Sequence, residues 1–155
     1  MDRRHLLLAA LAAPMPAAWA HHGWSGFDQE RPLYLQGTAR KVVWKNPHAE
    51  FDLETAADLA LPADLQRRAL PAQSANVDAP RVLANARLPT RKDRVWHIEL
   101  APLTRLEAWK VPELRDGDRV EVLGYTTTGE KGDPVLRAEY VFVAGKAYGL
   151  RSSPA

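Results

Sequence analysis

The sequence predicts a small all-β barrel. Its 155 residues suit a single domain. Stretches in which apolar and polar residues alternate are separated by turn signals, which is typical of strands. We count five such strands, with one short helix between the third and the fourth. This order, together with a long first strand, is typical of the OB fold, a five-stranded Greek-key barrel. A β-sandwich is the alternative, but it would require seven or more strands.

The first two predicted strands are joined by a turn. The first strand covers residues 33–44, and Gly37 inside it predicts a bulge or a sharp bend. Lys45-Asn46-Pro47 then forms the turn, because proline and asparagine favour turns. The second strand covers residues 48–54 and alternates strictly, so one set of its side chains is expected to face the core. This set is Ala49, Phe51 and Leu53.

A long insertion at residues 55–94 interrupts the strand pattern with alanines and four prolines. A connection of this length is either a cap over a site or a loose surface excursion, and its composition favours the loose interpretation. Residues 21–148 are predicted to form the one domain, and residues 149–155 a disordered tail. The remaining elements are a strand at 95–100, a helix at 101–110, and strands at 119–125 and 136–143.

Residues 1–20 are predicted to be a secretory signal peptide. Arg3 and Arg4 supply the positive start, and residues 6–13 form an apolar core that is too short to span a bilayer. Ala18 and Ala20 are the small residues that a signal peptidase reads. We therefore expect a periplasmic or secreted protein with no membrane span after cleavage. The arginine pair also fits a twin-arginine signal, so the Sec and twin-arginine routes both stay open.

The composition excludes several functional classes. The chain has no cysteine, which rules out disulfide scaffolds, iron–sulfur clusters and thiol catalysis. Its 21 basic and 19 acidic residues give a net charge of +2, which argues against nucleic acid as a partner. The sequence contains neither a nucleophile–base signature nor a glycine-rich phosphate loop, so a non-catalytic role is favoured over an enzyme. Another exported protein is the partner that such a role suggests.

The histidines carry the clearest chemistry. Cleavage after Ala20 would make His21 the N-terminus, where its α-amino group and ring Nδ1 can chelate one metal ion. His22 and His48 are the further candidate ligands. Both methionines leave with the signal peptide, so the processed chain holds no sulfur and Cu(II) is favoured over Cu(I). The sequence thus predicts a metal-binding accessory or carrier protein, most simply for copper, with His21, His22 and His48 as its site.

A metal-free alternative stays open. The segment Asn46-Pro47-His48 also fits a plain turn in which the imidazole bonds to backbone groups, and a free His-His start binds copper weakly in almost any peptide. The protein would then be a periplasmic binding or interaction module of unknown ligand. Trp24 and Trp44 would be its ligand contacts, because OB folds often bind sugars or bases on aromatic side chains. Trp96 and Trp109 lie at positions that face the core.

The register of the second and third strands decides whether His97 joins the site. If the strands pair antiparallel with Glu54 near Val95, then Asp52 faces His97. His48 would then lie roughly 13 Å from His97 along the sheet, too far for both side chains to bind one metal ion. We therefore place His97 outside the predicted site. The acidic residues of these strands are expected to be solvated sheet residues.

Several motifs resemble those of one family of small exported bacterial proteins, a domain of unknown function. The specific motifs are His21-His22-Gly23-Trp24-Ser25 with Phe27-Asp28, then Gly37-Thr38, and Trp44-x-Asn46-Pro47-His48. Trp96-His97-Ile98-Glu99 and Gly117-Asp118-Arg119-Val120 extend the resemblance. The insertion departs from the family pattern, and so does Ala39, where valine is usual. The resemblance implies export and a β-barrel, and it supplies no activity.

Overall fold

The computed structural model describes residues 23–155. Its α-helices are α1 (Ala79–Asn85) and α2 (Leu103–Ala108), and short 3-10 turns lie at Trp24–Gly26, Leu65–Arg67 and Thr128–Glu130. The strands are β1 (Leu33–Val43), β2 (Glu50–Thr55), β3 (Val95–Glu99), β4 (Arg119–Tyr125), β5 (Val135–Val143) and β6 (Lys146–Gly149).

The strand pairing closes the sheet into a barrel. β1 pairs antiparallel with both β2 and β4, β2 pairs with β3, and β4 pairs with β5. β3 then pairs in parallel with β5, which closes the ring in the order 1-2-3-5-4-1. With α2 between β3 and β4, this connectivity confirms the predicted OB-fold-like barrel. The β-sandwich alternative is wrong because one continuous sheet closes on itself.

The barrel interior follows the predicted alternation. Phe51 and Leu53 of β2 face Ile98 and Trp96 of β3 in register, and all four side chains are buried. The apolar face of α2 adds Leu106 to the same core. Because the side-chain period of a strand is two residues, the outer face of β2 and β3 carries the polar set. This face includes Glu50, Asp52, His97 and Glu99.

The irregularity of β1 lies farther along the strand than predicted. The register with β2 shifts between Arg40 and Val43, where Lys41 adopts a positive φ of 48°. The bulge predicted at Gly37 is therefore displaced to this point. Gly37 is needed for a different reason, because a Cβ there would lie 2.1 Å from the carbonyl oxygen of Glu54. The glycine thus permits the close approach of β1 and β2.

The chain beyond β5 is ordered into a sixth strand and a packed tail. Ala144 and Gly145 both have positive φ and turn the chain into β6, which pairs with β5. Leu150 is only 1% exposed, and its N–H donates to the carbonyl of Glu139. The prediction of a disordered tail at residues 149–155 is therefore wrong. The tail is held because Leu150, which directly follows β6, packs its side chain in the main core.

The insertion at residues 55–94 covers one outer side of the barrel. A second apolar cluster forms there, separate from the interior, and the loose interpretation of the insertion is wrong. Outward-facing side chains of β1, β4 and β5 supply the barrel half of this cluster, and burying them stabilises the packed arrangement. The members are Tyr34, Leu65, Val82, Leu83, Leu123, Tyr140 and Phe142.

A bulge in β5 turns Tyr140 and Phe142 outward, toward the second cluster. The register of β4 with β5 shifts between Leu123 and Gly124, so that Glu139 is the extra residue. Leu136 and Ala138 face the main core before the bulge, whereas Tyr140 and Phe142 face the second cluster after it. An extra residue in one strand exchanges the faces of all following side chains. The covering insertion and the bulge therefore require each other.

Truncation of one buried insertion residue tests this packing. We expect Leu83→Ala to lower the free energy of unfolding by about 2–5 kcal/mol, because Leu83 is 6% exposed in the second cluster. Leu61→Ala is the matched control, since Leu61 belongs to the same insertion but is 41% exposed. Urea unfolding of both variants provides the measurement. Equal and small effects would mean that the insertion is loose after all.

A buried carboxylate fixes the end of the insertion. Glu130, in the loop after β4, accepts the backbone N–H groups of Thr90 and Arg91 at 2.9 and 3.0 Å and pairs with Arg31 at 2.9 Å. Burial alone would raise the pKa of Glu130, but the two backbone donors and Arg31 outweigh it and hold that pKa below its ordinary range. The charged form of Glu130 is therefore the stabilising one.

The pH dependence of stability follows from this pKa. A depressed carboxyl pKa contributes stability that is present above the unfolded value, about 4.3, and is lost as the pH falls through the folded value. We expect Glu130→Gln to lower the melting temperature at pH 7 and to have a shrinking effect below about pH 4. Thermal melts of wild type and variant from pH 3 to pH 7 measure the difference. A difference that does not change with pH would contradict the role of the charge.

Candidate functional site

The first described residues run against the barrel. We call residues 23–29 the Trp24 segment. Phe27 is buried, the N–H of Asp28 donates to the carbonyl of Thr126 at 2.8 Å, and the Gln29 side chain donates to the carbonyl of Trp24 at 3.1 Å. The chain is thus attached to the end of β4 within a few residues of His22.

The Trp24 ring is held by two arginines and a tyrosine. The guanidinium carbon of Arg151 lies 3.9 Å from the ring centroid, and that of Arg137 lies 4.8 Å away. Tyr125 meets the ring edge-on, with centroids 6.2 Å apart. Both cations are within the range of cation–π attraction. Trp24 is half-buried and makes these contacts within the molecule, and its role as a ligand contact stays a prediction.

Arg151 is itself fixed by buried groups. Its Nη2 and Nε donate to the Glu139 carboxylate at 2.5 and 2.8 Å, and its Nη1 donates to Gln29 at 2.9 Å. Glu139 is 0% exposed, and Gln73 of the insertion donates to its second oxygen at 3.0 Å. Gln73 also accepts the backbone N–H of Arg151 at 2.9 Å. The insertion and the tail thus meet at one carboxylate, and the Trp24 segment is connected to it through Arg151.

Arg137 connects Trp24 to the outer face of the barrel. It pairs with Glu99 at 3.4 Å, and in the strand register Glu99 lies between Arg137 and Glu50. Burial lowers the pKa of the Arg137 guanidinium; Glu99 opposes that shift, while nearby Arg105 and Arg151 add to it. We call Glu50, Glu99 and Arg137 the outer row.

His48 lies beside Glu50, displaced along the chain direction, whereas the row runs across the strands. It is half-buried and stands two residues before Glu50, so the two share the outer face of the strand. The pairing of β2 with β3 continues beside His48, because the N–H of Leu100 donates to the carbonyl of Ala49. Asn46 accepts the N–H of Leu103 at 3.3 Å, which ties the turn before His48 to the start of α2. His48 therefore has a fixed backbone.

His97 lies outside the predicted site, as the register required. Glu54 pairs with Val95 and Asp52 with His97, which confirms the predicted alignment. The His97 ring stands between two carboxylates, with Nδ1 3.4 Å from Asp52 and Nε2 3.5 Å from Glu50. Lys41 pairs with Asp52 at 3.1 Å. Glu50 and Asp52 thus share His97 as a neighbour, and Asp52 also pairs with Lys41.

The other three tryptophans of the described residues pack internally. Trp44, the second predicted ligand contact, is half-buried against the main core. Trp96 is buried in the barrel interior. Trp109 packs against the main core, and the Nε1 of Trp109 donates to the carbonyl of Ser152 at 2.7 Å. The core positions predicted for Trp96 and Trp109 are confirmed. Trp24 and Trp44 stand on different elements, one beside β4 and β5 and the other after β1.

The predicted metal ligands His21 and His22 lie outside the described residues. Between residues 23 and 155, no three side chains of histidine, aspartate or glutamate converge as a metal site would require. In the same range, no helix is long and apolar enough to cross a bilayer. Of the three predicted ligands, the structure therefore describes only His48.

Comparison with known proteins singles out the N-terminal part of the chain. Residues 8–64 match the model of a family of unknown function (DUF6152). This match confirms the resemblance to an uncharacterised domain family. The DUF6152 segment contains every predicted site residue, namely His21, His22, Trp24, Trp44 and His48, and it ends inside the insertion. Searches of curated proteins and of solved structures found no match.

Two arginines that hold Trp24, and the carboxylate that holds one of them, were not foreseen from the sequence. Arg137, Glu139 and Arg151 lie beyond the DUF6152 segment, far from Trp24 along the chain. One local signal existed, because Glu139 is an acidic residue inside the apolar run of the last long strand. Acidic residues are seldom fully buried unless they are paired, so this position indicated a buried ion pair without naming its partner.

Proposed function

We propose that the protein is exported and binds one divalent metal ion, Cu(II), at its processed N-terminus. His21 would supply the α-amino group and a ring nitrogen, and His22 and His48 would supply further nitrogens. The protein would act as a non-catalytic carrier or as an accessory to another exported protein. The observation that carries the proposal is the attachment of the Trp24 segment beside the outer row, whose member Glu50 lies beside His48.

The dimensions of the outer row support a shared site. Neighbouring strands are about 4.8 Å apart, so Arg137 and Glu50 are separated by about 10 Å across Glu99. Two extended residues before Gly23 reach about 7 Å, and an imidazole adds several ångströms to that. His48 lies two residues, about 7 Å, along the strand direction from Glu50, so Arg137 and His48 are roughly 12 Å apart. A shared site therefore requires residues 21 and 22 to be nearly fully extended.

Copper binding at this site is expected to depend on pH. The nearby cations Arg137 and Arg151 are each paired with a carboxylate, Glu99 and Glu139. An α-amino group ordinarily titrates near pH 8 and a histidine near 6.5, so metal must displace protons from both. Copper affinity is then expected to rise with pH across this range.

Copper titration of the processed protein tests the shared site. We expect wild type to bind Cu(II) more tightly than the peptide His-His-Gly-Trp, because His48 adds a ligand on a fixed backbone. His48→Ala should weaken copper binding by about 10- to 100-fold. Changes to the groups around metal ligands have effects of this size, and loss of a ligand itself should be at least as large. Calorimetry with electron paramagnetic resonance measures affinity and nitrogen number.

His97→Ala is the matched control for this titration. His97 is a half-buried histidine on the same outer face, but the register separates it from His48. Its loss should leave copper affinity unchanged. Wild-type affinity equal to that of the peptide, or insensitive to His48→Ala, would overturn the proposal and leave the metal-free interaction module as the function to pursue.

Export and processing have their own test. We expect the full chain, expressed in a Gram-negative host, to be found in the periplasm with a mass that begins at His21. Ala20→Arg should block processing, because the peptidase requires a small residue there. Replacement of Arg3 and Arg4 by lysine should stop export only if the twin-arginine route is used. An unprocessed cytoplasmic chain would contradict both the export and the N-terminal ligand.

A further inference from the structure

A cleft separates the two ends of the insertion, where β2 ends and β3 begins. Residues 55–59 form one wall, and residues 88–94 form the other. We call it the insertion cleft. Its volume is about 320 Å³, which lies within the range of small-molecule sites. We infer that the insertion cleft binds an organic anion, a carboxylate with an aliphatic chain. Such binding would be independent of the proposed copper function.

The cleft offers apolar surface to the chain of such a ligand. Leu59 and Leu88 line it and are half-buried, so part of each side chain packs on the protein and part is open to the cleft. Leu59 packs against both apolar clusters, and Leu88 packs against the second one. Pro89 adds a further apolar surface. Covering these groups with an aliphatic chain removes apolar area from water on both partners, which favours binding.

Two cations of the cleft have no carboxylate partner. Lys92 and Arg94 are exposed, and neither makes an ion pair within residues 23–155. Asp93, the acid between them, pairs at 2.5 Å with Arg91. Arg91 in turn donates to the carbonyls of two residues in the loop after β4 at 2.9 Å. The one nearby acid is therefore committed elsewhere, and the cleft keeps an uncompensated positive charge.

Arg94 is held in a fixed position. Its carbonyl accepts the N–H and the hydroxyl of Thr55 at 2.8 and 3.1 Å, and its Nε donates to the Thr55 carbonyl at 3.1 Å. The terminal nitrogens Nη1 and Nη2 have no partner in the described part of the chain. Two such donors on one planar group match the two oxygens of a carboxylate. Because the guanidinium is already oriented, less freedom is lost when the anion binds.

Other clefts of this surface differ because their cations are compensated. Arg68 lines a cleft beside β6, where it pairs with Asp64 at 3.0 Å and with Glu121 at 2.6 Å. Arg81 lines a cleft beside α1 and pairs with Glu30. An anion entering either cleft would have to displace a carboxylate of the protein. The insertion cleft imposes no such cost at Lys92 and Arg94.

Three probes separate the contributions of charge and chain. Octanoate carries both, acetate carries the charge with almost no chain, and octan-1-ol carries the chain without the charge. We expect octanoate to bind most tightly and to shift the NMR signals of residues 56–59 and 88–94. Each further CH₂ group buried in the cleft should tighten binding about fourfold. Added salt should weaken octanoate binding, because the cations are exposed.

Variants of the cleft locate the binding. Lys92→Gln and Arg94→Gln should each weaken octanoate binding about two- to fivefold, as loss of an exposed ion pair implies. Ala57→Phe keeps both cations but fills the cleft, and it should abolish octanoate binding. Lys45→Gln is the matched control, because Lys45 is an exposed lysine beyond the opposite end of the β1–β2 pairing. Melting temperatures of all four variants report whether the fold is retained.

Several results would overturn the inference. Equal affinity for acetate and octanoate, or signal shifts outside the insertion cleft, would mean that the cations attract small anions without a site. Attachment to anionic lipid vesicles that Lys92→Gln abolishes, with no response to octanoate, would assign these cations to a membrane surface instead. The copper function is tested separately, because His48 precedes β2 and the cleft begins at its end. His48→Ala should therefore leave octanoate binding unchanged.

Discussion

The buried carboxylate of Glu139 is the constraint on which the periphery of this barrel depends. A charge at a fully buried position requires close partners, and Glu139 recruits them from two distant parts of the chain, Gln73 and Arg151. Its own position results from the β5 bulge, where Gly124 allows the close approach: a Cβ at Gly124 would lie 2.3 Å from the carbonyl oxygen of Arg137. One irregular residue therefore organises the insertion, the tail and the Trp24 segment.

The barrel itself was largely predictable because its determinants are local. Alternation at period two identified the inward side chains of β2 and β3, and the register followed from matching those faces. The covering layer was not predictable, because the bulge exchanges the faces of Tyr140 and Phe142 without any signal in composition. Alanine and proline content describes how freely an isolated segment moves. It does not reveal that the outside of the barrel carries an apolar surface against which Leu65 and Leu83 pack.

The candidate site shows the same division. The sequence identified His48 and Trp24 because each belongs to a short motif with its own turn chemistry. It could not identify Arg151, whose role arises only when the tail lies beside the first described residues. It predicted a ligand contact for Trp24 but could not predict that this ring also lies against arginines of its own chain. Long-range pairing of charge and ring is a property of the fold, and single-sequence patterns do not carry it.

The meeting of Trp24 with Arg137 and Arg151 has a consequence for the order of assembly. Translation delivers a chain from its N-terminus, so the Trp24 segment emerges before every group that will hold it. The contacts of this segment are among the least local in the molecule, and such contacts form late because a large loop must close first. The Trp24 segment is thus synthesised early and is among the last parts of the described chain to reach its final position.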